Sequence, residues 1–191
     1  MTGTPAPARS GPGRIVLVVG PSGAGKDTLL AYAADALGDR SDIVFPRRLV
    51  TRASDPGRED HDSISMDEFE RMRAGADHAL CWEAHGHGYI IPRSVADDVA
   101  AGRTVVFNAS RSVIADAVER FATVRVAIIK ASDKVLAKRL AARGSESRED
   151  IRRRLKRAGF SVVGAGDMVT IVNDGSVERA GDELVKAILD D

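Results

Sequence analysis

Residues 15–28 read IVLVVGPSGAGKDT, from Ile15 to Thr28, and the junction at Gly20 decides the fold. Ile15 through Val19 is a continuous apolar run. It reads as a strand buried on both faces, because neither side of its pleat carries a polar residue. The run passes directly into Gly20-Pro21-Ser22-Gly23-Ala24-Gly25-Lys26. A helical pattern follows over residues 26–37, with Gly38 where a C-cap glycine would sit. Strand, glycine-rich loop, lysine and helix in this order make a phosphate-binding loop (P-loop). Its glycines let the backbone curl so that successive N–H groups face one anion, and the helix N-terminus adds favourable partial charge. Lys26 is then expected to reach the β- and γ-phosphates of ATP.

The residue after the lysine departs from the usual Ser or Thr: it is Asp27, followed by Thr28. Both offer hard oxygen ligands, so either is a candidate to bind Mg²⁺, directly or through water. Asp27 also has a plain structural role open to it, as a negative charge at a helix N-terminus.

Outward from the loop, apolar β-rich runs alternate with amphipathic helical stretches. Residues 44–51 read as extended and 52–62, with Pro56 and Gly57, as a loop. Ser65-Met66-Asp67-Glu68 is a capping box that opens a short helix. Residues 79–91 read as two short strands around Gly86 and Gly88. Helices are expected over 94–101, 110–121, 133–143 (capped by Ser132) and 177–189, and strands over 104–107, 124–129 and 168–172. A second capping box at 147–150 opens a basic helix. This alternation implies an α/β fold, a P-loop NTPase with a parallel sheet flanked by helices on both faces. Residues 14–191 form one domain in this reading. Residues 1–13, rich in Pro, Ala, Gly and Thr, read as a disordered tail without the apolar core of a signal peptide. Residues 48–92 interrupt the alternation and are expected to form an acceptor-binding insertion. The arginine-rich stretch 139–157 is the expected lid.

The chain has 191 residues, with 28 Lys plus Arg against 28 Asp plus Glu, so bulk electrostatics gives no reason to expect nucleic acid or a membrane surface as partner. No apolar run is long enough to span a bilayer. A single cysteine, Cys81, excludes an internal disulfide and suits a reducing cytoplasm. His61, His85 and His87 lack the tight grouping of a zinc site and are instead candidates to touch an acceptor. Trp82 and Phe69 read as core. Oligomeric state is not legible, and a homodimer remains open.

Several further pieces carry a family resemblance. Beside the P-loop stand Thr51-Arg52, Glu83-Ala84-His85-Gly86 with Tyr89 and Pro92, Arg139-Leu140 with Arg143-Gly144, Ile151 through Arg154-Leu155, and Val172-Asn173-Asp174. In order and spacing they resemble the guanylate-kinase-like nucleoside monophosphate kinases over about residues 14–189. Lys26-Asp27-Thr28, Glu59-Asp60-His61 and Asn108-Ala109-Ser110-Arg111 look more like the ribose 1,5-bisphosphate phosphokinases, which make phosphoribosyl pyrophosphate in phosphonate degradation. Guanylate kinases carry a second arginine where this chain has Asp55, and two aspartates where it has Asn108 and Ser110. Two carboxylates are gone and Arg111 has arrived, which suits an acceptor with two phosphates. Glu83 points the other way, since it matches the glutamate that reads guanine, so a guanylate or other nucleoside monophosphate kinase is the alternative.

The resemblance implies ATP and Mg²⁺ as cofactors and ribose 1,5-bisphosphate as acceptor. It implies catalytic roles for Lys26, Asp27, Arg139, Arg143 and Arg154, and nucleotide contacts from residues 20–28 and Asn173. Arg52, Glu83, Tyr89, Asn108, Ser110 and Arg111 would meet the acceptor. Arg152, Arg153 and Arg157 have no such match and read as surface charges.

Overall fold

The computed structural model describes residues 11–53, 61–84, 86–142 and 167–190. The expected lid beyond residue 142, the capping box at 147–150, His85 and the Glu59-Asp60 pair lie outside the described residues, as do residues 1–10.

The apolar run becomes β1 (Arg14–Val19), and the loop opens α1 (Lys26–Leu37). Then come β2 (Ile43–Val44), β3 (Arg48–Val50), β4 (His61–Ser63), α2 (Met66–Ala74), β5 (Leu80–Ala84), β6 (His87–Ile91) and α3 (Ser94–Ala100). β7 (Thr104–Asn108), α4 (Ile114–Arg120), β8 (Val124–Lys130), α5 (Asp133–Ala142), β9 (Asp167–Val172) and α6 (Val177–Leu189) complete the described elements. β1 is the centre of a five-stranded parallel sheet in the order β2-β7-β1-β8-β9, with Leu17 opposite Phe107 on one side and Val126 on the other. This is the α/β architecture that the alternation predicts.

The period of two along β1 builds two cores. Ile15, Leu17 and Val19 face a cluster with Val95 and Val99 of α3, Val113, Ile114 and the aromatic pair Trp82 and Tyr89. Val16 and Val18 face Leu29 and Ala33 of α1, Leu136 of α5, and Ala180, Leu184 and Ile188 of α6. All five residues Ile15 to Val19 are fully buried. At ~1.5–3 kcal/mol for burying each such side chain, this strand contributes heavily to holding the P-loop rigid.

Four strands lie outside the main sheet, in the order β4-β3-β6-β5. β3 runs parallel to β4 and antiparallel to β6. Helix α2 packs on this small sheet through Phe69. At Gly88 an added Cβ would come within 2.6 Å of the Phe69 ring, so only glycine admits the aromatic there. The α2 capping box forms as expected, with the Glu68 N–H donating to Ser65 Oγ at 3.1 Å and the Ser65 N–H to Glu68 Oε2 at 2.8 Å.

Three local expectations shift. The extended stretch 44–51 divides: its start, in β2, pairs with β7 in the main sheet, and β3 joins the small sheet. The helix expected from Ser110 begins as a 3₁₀ turn (Arg111–Val113), because Ser110 Oγ accepts the Ser112 N–H at 3.3 Å and tightens the entry. Gly38 caps α1 in a right-handed conformation, φ −59°, so its glycine freedom is not used. Gly13, the last residue of the stretch expected to be a disordered tail, is instead buried and donates its N–H to the Val99 carbonyl at 3.0 Å.

Candidate active site

The P-loop emerges at the carboxyl end of β1, the central strand, and its last glycine is conformationally demanding. Gly25 has φ +91° at the N-cap of α1, and a Cβ there would stand 2.4 Å from Asn173 Nδ2. Asn173 follows β9 and is 2% exposed. Its Nδ2 donates to the Ala24 carbonyl at 2.8 Å, and its own N–H donates to the Lys130 carbonyl at 2.7 Å. Arg139 of α5 donates to the same Ala24 carbonyl at 3.3 Å. Two side chains, one just past the edge strand β9 and one from α5, thus hold one peptide of the loop in place. Lys26 folds back along the loop, with Nζ donating to Gly20 O at 3.0 Å and Pro21 O at 3.2 Å. The cation therefore sits over the concave backbone, where a phosphate would meet it.

Asp27 lies in the first turn of α1, half-buried, and does more than complement the helix N-terminus. Its Oδ1 accepts a 2.6 Å hydrogen bond from Asn108 Nδ2 at the end of β7. An ionised carboxylate only accepts hydrogen bonds, and the Asn108 amide supplies a donor to it. Thr28 is exposed on α1. Among the described residues no group of three or more His, Cys, Asp or Glu gathers as a metal cage. One carboxylate beside a phosphate loop is nonetheless a donor set that fits Mg²⁺, which takes few protein oxygens and completes its shell with phosphates and water.

The main chain of Asn108 receives a second strut. Arg48, the first residue of β3, donates from Nη1 to the Asn108 carbonyl at 2.7 Å. Arg48 is 6% exposed, and its guanidinium lies 5.6 Å from the centre of the Tyr89 ring. That ring is stacked on Trp82 at 5.3 Å between centres, the two planes nearly parallel. Burial pushes the Arg48 pKa down; the Asp27 charge pulls it back up, and Arg52 adds to the lowering. Arg48 was not among the residues that sequence reasoning singled out. The available signal was alternation: Arg48 and Val50 share the inward side of β3, whereas Arg47 faces solvent and pairs with Asp62 at 2.9 Å.

The other expected acceptor residues divide. Arg52 is half-buried just past β3, and the buried ring of His61 meets its carbonyl at 3.3 Å. Tyr89 is 9% exposed within the core cluster. Glu83 on β5 is exposed and turned toward α2, where Arg73 holds it at 2.7 Å. Ser110 caps its 3₁₀ turn, and Arg111 is exposed beside it. Arg143 and Arg154 lie outside the described residues. The structure therefore brings Asp27, Asn108, Arg48 and Tyr89 into one chain of contacts and gathers Asn173 and Arg139 behind the loop. Glu83 is drawn to a different partner.

Comparison with known proteins adds three findings. Residues 16–158 match the family model described as AAA domain. The chain is 50% identical over 178 residues to a ribose 1,5-bisphosphate phosphokinase PhnN of Bradyrhizobium diazoefficiens, covering 93% of this chain and 89% of the relative. It is 43% identical over 174 residues to the protein of that name from Agrobacterium fabrum, covering 91% and 95%. Among solved structures, a guanylate kinase from Anaplasma phagocytophilum superposes with a TM-score of 0.60 at 16% identity, covering 94% of this chain and 86% of that one. That last likeness speaks to the fold alone. No described helix is long and apolar enough to cross a membrane.

Proposed function

The chain belongs to the ribose 1,5-bisphosphate phosphokinase PhnN family and to the AAA domain family, and from that premise we propose that it transfers the γ-phosphate of ATP to ribose 1,5-bisphosphate, giving 5-phosphoribosyl 1-diphosphate and ADP. The observation that carries the reading is the Asp27–Asn108 contact at 2.6 Å. It ties together two of the features that set the sequence apart: the acid after the P-loop lysine and the amide at the end of β7.

The nucleophile in this reaction is an oxygen of the C1 phosphate of the acceptor. A phosphate monoester has its second pKa near ~6, so this oxygen is already mostly ionised at neutral pH and no general base is needed. It forms a bond to the γ-phosphorus as the bond from that phosphorus to the β,γ-bridging oxygen breaks, and ADP departs with the electron pair. The enzyme's work is positioning and charge neutralisation. The loop N–H groups and Lys26 hold the β- and γ-phosphates. Asp27 is the residue that would hold Mg²⁺, with Thr28 as a neighbouring oxygen; the ion would neutralise phosphate charge. Arg139 holds the loop from behind. Arg143 and Arg154, which the resemblance assigns to the lid, would add cations around the transferred group. Arg52, just past β3, and Arg111, after β7, supply positive charge for the acceptor phosphates, and Tyr89 backs Arg48 from the core.

The test is ADP release from ATP–Mg²⁺ with ribose 1,5-bisphosphate and GMP in parallel, with products identified by mass. Phosphoribosyl pyrophosphate from the first, with little turnover of the second, is the expected result. GDP formation as the dominant activity would overturn the acceptor and return Glu83 to the role of base reader.

A further inference from the structure

We propose that Arg48 is a positioning residue for the nucleotide side of the site: by bracing the main chain of Asn108 it fixes the amide that orients the Asp27 carboxylate. This inference rests on the kinase reading above. Its geometry is a continuous polar path across two sheets. Arg48 Nη1 donates to the Asn108 carbonyl at 2.7 Å, and Asn108 Nδ2 donates to Asp27 Oδ1 at 2.6 Å. The middle residue is the last of β7, whose partner Val18 is one residue short of the end of β1. The path therefore begins in the small sheet, passes over the carboxyl edge of the main sheet and ends in the first turn of the P-loop helix.

The setting of Arg48 suits this work better than simple filling of space. A cation at 6% exposure has lost most of its hydration, a cost that an apolar residue of similar volume would avoid. Its guanidinium is held over the Tyr89 ring, which is itself backed by Trp82, so the fork has a fixed place as well as a fixed charge. Arg48 also stands four residues before Arg52 on the strand that leads into the acceptor side.

The experiment compares wild type, Arg48→Met, Asn108→Ala and the double variant as full-length proteins. The readout is the Mg²⁺ concentration needed for half-maximal binding of a fluorescent ATP analogue, with thermal melting recorded alongside. A charge-assisted bond of this kind is worth roughly 10- to 100-fold, so each single variant is expected to need about 10-fold more Mg²⁺, and the double variant no more than the worse single. Arg48→Met that melts earlier but keeps the wild-type Mg²⁺ dependence would overturn the proposal, as would multiplicative effects in the double variant. If Arg48→Met does not fold, Arg48→Lys keeps the charge and loses the fork; a smaller shift in the same direction is expected, and none at all refutes the role. Nucleotide binding is measured without acceptor. Wild-type protein that binds the analogue with Mg²⁺ but does not turn over ribose 1,5-bisphosphate would therefore overturn the substrate reading and leave the Arg48 test standing.

Discussion

Replacing Asn108 by aspartate would place a second carboxylate against Asp27, where an amide now donates at 2.6 Å. Two unit charges that relax to about 4 Å repel by ~1 kcal/mol in water and by ~4 kcal/mol at an effective dielectric near 20. Both residues are partly exposed, so the cost falls between these limits. The lost charge-assisted hydrogen bond adds ~1.5–3 kcal/mol. Even the low ends of both terms together give about 2.5 kcal/mol, and at ~2–4 °C per kcal/mol for a chain of this size the melting temperature should fall by at least ~5 °C. The assay is thermal melting at pH 8 in low salt with a chelator, repeated with excess Mg²⁺. Divalent cation between two carboxylates relieves the repulsion, so Mg²⁺ should restore much of the loss in Asn108→Asp. It should restore little in Asn108→Ala, which loses the bond without gaining a charge. An Asn108→Asp variant that melts with the wild type in chelator would refute the contact, and one that Mg²⁺ fails to rescue would refute Asp27 as the metal-side residue.

Other outcomes follow from the same geometry. Lys26→Ala should abolish transfer while the chain keeps its circular dichroism and melting cooperativity; near-normal turnover by the folded variant would remove the P-loop assignment. Gly25→Ala combines a left-handed φ with a Cβ 2.4 Å from Asn173 Nδ2, so the loop peptide must shift, with strain of order ~1–3 kcal/mol; ATP-analogue titration should show affinity reduced about 10-fold or more. Arg73→Ala frees the exposed Glu83 carboxylate. An exposed pair is worth ~0–1 kcal/mol, so stability should barely move, and any rise in GMP turnover, read in the two-acceptor assay, would show that the ion pair keeps Glu83 away from a base.

How much of this could be read from the chain depends on the range of each interaction. The strand-loop-helix unit was legible because burial of Ile15 to Val19, the glycine loop and the start of α1 are set by neighbours in sequence. The capping box at Ser65 and Glu68 was legible for the same reason: both hydrogen bonds span three residues. The division of residues 44–51 between two sheets was not, because a two-residue strand such as β2 has no period of its own and is defined only by its partner β7. Arg48 escaped notice because its partners lie 60 and 41 positions away, at Asn108 and Tyr89. Glu83 was recognised by resemblance, but its pairing with Arg73 depends on how α2 docks on the small sheet, which Phe69 and Gly88 decide.

Asp27 and Asn108 show what the sequence can offer when residues are considered together. Taken singly, each is an oddity: an acid where a hydroxyl is usual, and an amide where a related family keeps an acid. Together they are complementary, since a carboxylate at 27 calls for a donor and an aspartate at 108 would supply another acceptor. The substitution at one position changes which residues are tolerated at the other. The bond joins the P-loop helix to β7 at the edge where Arg48 arrives from the small sheet. In the proposed site Asp27 would serve two demands at once, oxygen donation toward the nucleotide side and acceptance of the Asn108 amide, and a hydroxyl at that position could meet the second only without the charge that makes the bond strong.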